Sequence, residues 1–101
     1  MEKLERDGKI GVLISQAFGA GWSTWNGEHA EALLMDKDLV SAFLDGGVSA
    51  LASLARARYP DAYLGGVDDD MVVEWVPKGT RFKVTEYDGS ERLEVCDWFI
   101  A

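Results

Sequence analysis

One cysteine, Cys96, and one histidine, His29, are all this sequence offers of the side chains that build disulfides, zinc clusters and most acid–base centres. A single thiol forms no internal disulfide, and a zinc cluster needs more ligands of this kind. Positive charge is scarce too. Ten Lys and Arg stand against eighteen Asp and Glu, a formal net charge of −8. Affinity for phosphates and for anionic membranes comes from clustered Lys and Arg, so neither nucleic acid nor a membrane is expected as a direct partner. No stretch reads as a signal peptide or a membrane span, and the expected location is the cytoplasm. No lysine lies between Lys9 and Lys37, which excludes a Walker loop after the first strand. Repeats, linkers and low-complexity tracts are missing, so the 101 residues read as one domain, 1–101.

What is present is apolar and aromatic. The apolar fraction is 48%, with four Trp, enough for one core in a chain of this length. The most legible stretch runs over 72–95. Asp88-Gly89 signals a two-residue type I′ turn, because both turn positions need positive φ. With that pair at the tip, Tyr87 faces Ser90, Val84 meets Leu93 and Phe82 meets Val95 on one face, and Lys83 meets Glu94 on the other. A slip of one residue would expose half the apolar set, so turn and pattern agree on one register. Phe82, Val84, Leu93 and Val95 are therefore expected to share one interior. Pro77-Lys78-Gly79 reads as a three-residue turn. It would set Glu74 against Phe82, although Met71, Val73 and Trp75 look like the buried face. A bulge near Thr80 would reconcile the two, and the register of 71–76 on 80–87 stays open.

Residues 1–8 are polar and expected to fray. Residues 9–15, K-I-G-V-L-I-S, read as a buried strand. Residues 16–27, Q-A-F-G-A-G-W-S-T-W-N-G, place the rings of Phe18, Trp22 and Trp25 in a glycine-rich loop. Such rings either cap the core or form a recognition surface, and Ser23, Thr24 and Asn26 are the expected partners of the indole N–H groups. Residues 28–35 suit a helical turn or a short strand. Asp36 is an N-cap for a helix whose face carries Leu39, Val40, Phe43 and Leu44. Gly46-Gly47 interrupts it, a second helix follows with Arg56 and Arg58 in its last turn, and Pro60 ends that one. The tail D-W-F-I-A is apolar enough to dock. The expected fold is α+β. A small antiparallel sheet of three to four strands, the C-terminal meander 71–96 plus the strand 9–15, carries two or three short helices (about 37–46 and 48–58) on one face.

The residues give few pointers to chemistry. G-A-G-W-S-T at 19–24 follows a strand, as a phosphate-binding loop does, but a dinucleotide fingerprint needs a third glycine where Thr24 stands. Asp68-Asp69-Asp70 lacks the spacing, central glycine and terminal Glu of a calcium loop and reads as a solvated turn. His29 has no motif around it, and no Ser-His-Asp arrangement is identifiable. No catalytic residue, metal ligand or cofactor is assigned. Residues 61–101 hold ten acids and four bases, a local −6. The candidate binding residues are Trp22, Trp25 and Trp75 as apolar anchors, with Asp68, Asp69, Asp70 and Glu94 as carboxylates facing a basic partner.

Two runs, G-A-G-W-S-T-W-N at 19–26 and E-W-V-P-K-G-T-R-F-K-V-T-E-Y-D-G-S-E at 74–91, are similar to a group of short uncharacterised proteins encoded by bacteriophages and related mobile elements. The resemblance implies context and no residue roles. Small acidic phage proteins are often non-enzymatic inhibitors of host machinery, anti-CRISPR proteins among them. The expectation is an acidic binding protein that inhibits a host protein by occluding a basic, nucleic-acid-handling surface. One alternative is a binder of a nucleotide or signalling molecule that uses the loop 18–26. Another is a small hydrolase or transferase.

Overall fold

Strand β2 (Lys9–Ser15) is buried at every position after Lys9. A strand buried on both faces needs a layer on each side, and the computed structural model, which describes residues 1–101, supplies both. Around β2 the chain forms β1 (Glu5–Arg6), α1 (Ala30–Met35), α2 (Lys37–Arg58), β3 (Met71–Pro77), β4 (Arg81–Tyr87), β5 (Ser90–Val95) and β6 (Phe99–Ile100). Two short 3₁₀ turns, Ser23–Trp25 and Gly27–His29, lead into α1. The fold is α+β, with two antiparallel three-stranded sheets ordered β1-β2-β3 and β5-β4-β6.

Side chains alternate across a strand, and β2 divides its residues between two cores accordingly. Ile10, Val12 and Ile14 pack with Val76, Phe82 and Val84 towards the second sheet. Leu13 packs with Leu39, Val40, Leu51 and Ala55 of α2. The layers are thus helix, sheet, sheet. Helix α1 joins both interiors, sending Leu33 to the helical side and Leu34 and Met35 to the other.

Helix α2 has 22 residues and is long and apolar enough, by length and composition, to cross a bilayer. In this fold it is broken at Gly47, whose φ of 72° combined with ψ of −161° only glycine adopts cheaply. Its two halves lay Leu39, Val40, Leu51 and Ala55 on the sheet. Two short amphipathic helices on one face are what the sequence predicts. The Asp36 side chain caps the first, accepting from Asp38 N at 2.9 Å. The whole is a compact globule with a radius of gyration of 12.2 Å.

The hairpin has the predicted register. Tyr87 pairs with Ser90, Val84 with Leu93, Lys83 with Glu94 and Phe82 with Val95, and Asp88 and Gly89 take φ of 50° and 90°. One member of the expected interior is missing from it. Val95 is 91% exposed. It ends an edge strand, and the interior beside Phe82 is filled instead by Phe99, which returns along β4 in β6 with ring centroids 5.6 Å apart. The apolar tail therefore docks, as expected.

Strand β3 does not pair with β4. It runs antiparallel to β2 over its whole length, from Lys9 opposite Pro77 to Ser15 opposite Met71. The conflict in its pattern disappears, because both its faces are covered: Met71 and Val73 meet α2, and Val72 and Val76 meet the second sheet. Residues 77–80 are the corner where the chain changes sheet, and Thr80 N donates to Pro77 O at 3.0 Å. The first eight residues do not fray either. Asp7 and Gly8, at φ of 53° and 76°, form a second tight turn and pair β1 with β2.

Candidate functional site

The glycine-rich loop is an anion nest, and the anion is the chain's own. The hairpin register points Glu91 inward beside Leu93, where the side chain is only 2% exposed. Its carboxylate accepts four hydrogen bonds: from Ser15 N (3.0 Å), Trp22 N (2.9 Å), Thr24 N (3.0 Å) and the Thr24 hydroxyl (2.6 Å). Successive backbone N–H groups curled around one point are what binds phosphate in other folds. Here those donors are engaged, which removes the physical basis for a phosphate cradle at 19–24. Gly21 is required by the curl, since a Cβ there would run into the Thr24 hydroxyl and the Trp25 ring. The turn is clasped to the same loop: Gly19 N donates to Asp88 O, and the Ser90 hydroxyl to Gln16 O at 2.9 Å.

Each ring of the loop has its own environment. Trp22 is wholly buried, and its indole N–H donates to Leu33 O at 2.9 Å rather than to Ser23, Thr24 or Asn26. It caps the core, so it cannot anchor a partner. Trp25 is partly exposed and stacks on Tyr63, centroids 5.6 Å apart. Asn26 braces this contact, donating to Tyr63 O and accepting from Tyr63 N. Phe18 stands out in solvent, edge-on to the exposed Tyr87 at 6.5 Å.

The predicted acids do not all gather. Asp68, Asp69 and Asp70 form a surface turn in which Asp68 accepts from Asp70 N at 2.8 Å. Gln16 N donates to Asp70 O while Gln16 O accepts from Ser90, so this turn and the hairpin tip with Asp88 lie at the same end of the molecule as Phe18 and Tyr87. None of these four aspartates forms an ion pair, whereas Glu94 is held by Arg92 at 3.3 Å and Lys83 at 3.9 Å. Glu94 is thus already neutralised and stands apart from the group. Trp75 lies towards the opposite end, half-buried beneath the Arg6 guanidinium at 5.5 Å from its ring centre. There Lys78 pairs with Glu5.

A cleft of about 360 Å³ opens between the loop and the second sheet. Ser23 and Thr24 form one wall, Val84 and Phe99 the floor, and Glu86 and Trp98 the mouth. No sequence signal singled it out, because its walls come from segments some sixty residues apart. The Thr24 wall is the one fixed from behind by Glu91.

His29 lines no part of this cleft. Its Nε2 lies 2.9 Å from Asp61 Oδ1 and its ring packs on Tyr59. The hydrogen bond from His29 holds the Asp61 carboxyl below its ordinary range. Glu28, His29 and Asp61 bring three potential ligand atoms within 4.8 Å of one another at the surface. Behind them the buried Asp36 accepts from the Arg58 guanidinium and the Tyr59 hydroxyl, both at 3.3 Å. Burial, and then the Asp36 carboxylate, push the Tyr59 phenol above its ordinary value.

No protein-family model, curated protein or solved structure matches the chain.

Proposed function

We propose that this chain is a cytoplasmic protein-binding module of phage type that inhibits a host protein by covering a basic, nucleic-acid-handling surface, in the manner of an anti-CRISPR inhibitor. The observation that supports it is the end formed by Asp68, Asp69, Asp70 and Asp88, carboxylates without ion-pair partners beside the exposed Phe18 and Tyr87. Unpaired acids attract Lys and Arg at long range and speed encounter, and exposed rings supply the desolvated contact that slows release. The cytoplasmic setting and the phage context rest on the sequence reading alone.

Capture from host extract with the wild-type chain and with the D68N/D69N/D70N variant tests this reading. The expected outcome is a basic protein retained by the first and lost from the second, with an association rate that falls as salt is raised. A partner retained equally by both, or an association rate indifferent to salt, defeats it.

The cleft favours a second reading, a binder of a small ligand beside the loop 18–26. Phosphate-bearing ligands fit it poorly, because Glu86 stands at the mouth and the loop N–H groups serve Glu91.

A further inference from the structure

The cleft carries more than a second reading, because its walls specify a chemistry. We propose that it is a receptor for an arginine side chain projecting from the basic partner; the inference rests on the docking reading above and names one side-chain contact for it.

An arginine has an apolar stem and a planar, permanently charged head. The cleft offers a counterpart to each. Val84 and Phe99 form an apolar floor for the methylenes, which long cationic side chains bury while keeping the head polar. Trp98, 68% exposed, stands at the mouth, and an indole face is the best aromatic surface for a guanidinium. The ring already attracts a cation, since the Lys83 ammonium lies 5.8 Å from its centre. Lys83 and Val84 point to opposite faces of β4, so Trp98 is reached both from the outer face and from the cleft. Glu86 completes the set. One of its oxygens accepts from Gly89 N within the turn, it belongs to no ion pair, and it lines the cleft. An unpaired carboxylate and an exposed indole lining one cleft favour a guanidinium over an ammonium, because only the guanidinium is a flat fork that both stacks and pairs. The wall is also stiff: Thr24 is held through N–H and hydroxyl by Glu91, so little ordering is needed on binding.

The probes are three capped tripeptides, Gly-Arg-Gly, Gly-Lys-Gly and Gly-citrulline-Gly, titrated against the full chain and followed by backbone and indole NMR shifts. The arginine peptide is expected to move the Trp98 indole and Val84 signals, and to bind about tenfold more tightly than the citrulline peptide, which has the same shape and no charge. Glu86→Gln keeps an acceptor for Gly89 N and is expected to weaken the arginine peptide about tenfold. Trp98→Ala is a surface change and is expected to reduce the preference for arginine over lysine. Equal binding of arginine and citrulline peptides overturns the proposal, as does an unchanged affinity in Glu86→Gln, or shifts confined to residues outside the cleft. Tighter binding of free arginine amide than of the peptide also overturns it, since the occupant is then a metabolite. If Glu86→Gln leaves arginine binding intact while D68N/D69N/D70N still abolishes capture of the basic partner, this inference fails and the docking reading stands.

Discussion

The Thr24 hydroxyl lies 2.6 Å from Glu91 Oε2. Around that contact a glycine-rich loop, the end of β2 and the hairpin are tied into one unit, with Ser15 N and Trp22 N as further donors.

Removing the Glu91 carboxylate leaves two buried N–H groups and one part-buried N–H group without their acceptor. Each unsatisfied buried donor costs about 1–3 kcal/mol, so Glu91→Ala is expected to lose at least about 2 kcal/mol. Glu91→Gln keeps one oxygen and loses less. Urea unfolding with an unchanged m-value checks this, and a loss below about 1 kcal/mol refutes the hub.

Beside it, Ser15 Oγ is buried with no hydrogen-bond partner. An unpaired buried hydroxyl is a cost to the folded state. Ser15→Ala is expected to be neutral or stabilising by up to about 1 kcal/mol, read from the same unfolding curves. Clear destabilisation would show that the hydroxyl has a partner.

Gly89 adopts φ of 90° and a Cβ there would collide with the Ala20 backbone. Gly89→Ala combines left-handed strain with that collision, and a loss above about 1 kcal/mol is expected. The loop should loosen together with the turn, seen as faster amide exchange at Trp22 and Thr24. Protection unchanged at those two amides would separate turn from loop.

Phe82 and Val95 face one another across the hairpin but differ in fate. Phe82→Ala opens a cavity between the sheets, and a loss of about 3–5 kcal/mol is expected. Val95→Ser changes an exposed position and should stay within about 0.5 kcal/mol. Thermal and urea midpoints of the two variants compare them directly, and similar losses would return Val95 to the interior.

Tyr59 sets an alkaline limit. Its phenol is raised above the ordinary value of 10.0, by burial first and by Asp36 second. The folded state therefore holds this proton more tightly than the unfolded state. The resulting stability is complete below pH 10 and is lost as pH rises through the folded pKa. Tyr59→Phe should flatten the decline above pH 10, and an equally steep decline in the variant would assign it to other groups.

Much of the fold was legible because its signals are local. Asp88-Gly89, Asp36 as a cap, Gly46-Gly47 as a break and the alternation of 82–84 against 93–94 each act within a few residues. The second turn, Asp7-Gly8, carried the same signal as the first but sat in a polar segment that read as fraying. A trace of the hub was also present. Glu86 lies opposite Glu91, and like charges facing one another across a hairpin are unfavourable on a surface, so one of them had to find other company.

From its order of residues alone the chain determined its turns, its helix break, its hairpin register and its shortage of cations, because backbone sterics and side-chain alternation are decided between near neighbours. Only the tertiary structure decided that β3 leaves the meander to pair with β2, that Val95 yields its place to Phe99, and that the glycine loop closes on Glu91. Those outcomes turn on which apolar faces find cover and which buried N–H groups find an acceptor. Both are settled between segments up to seventy-six residues apart, beyond the reach of any local pattern.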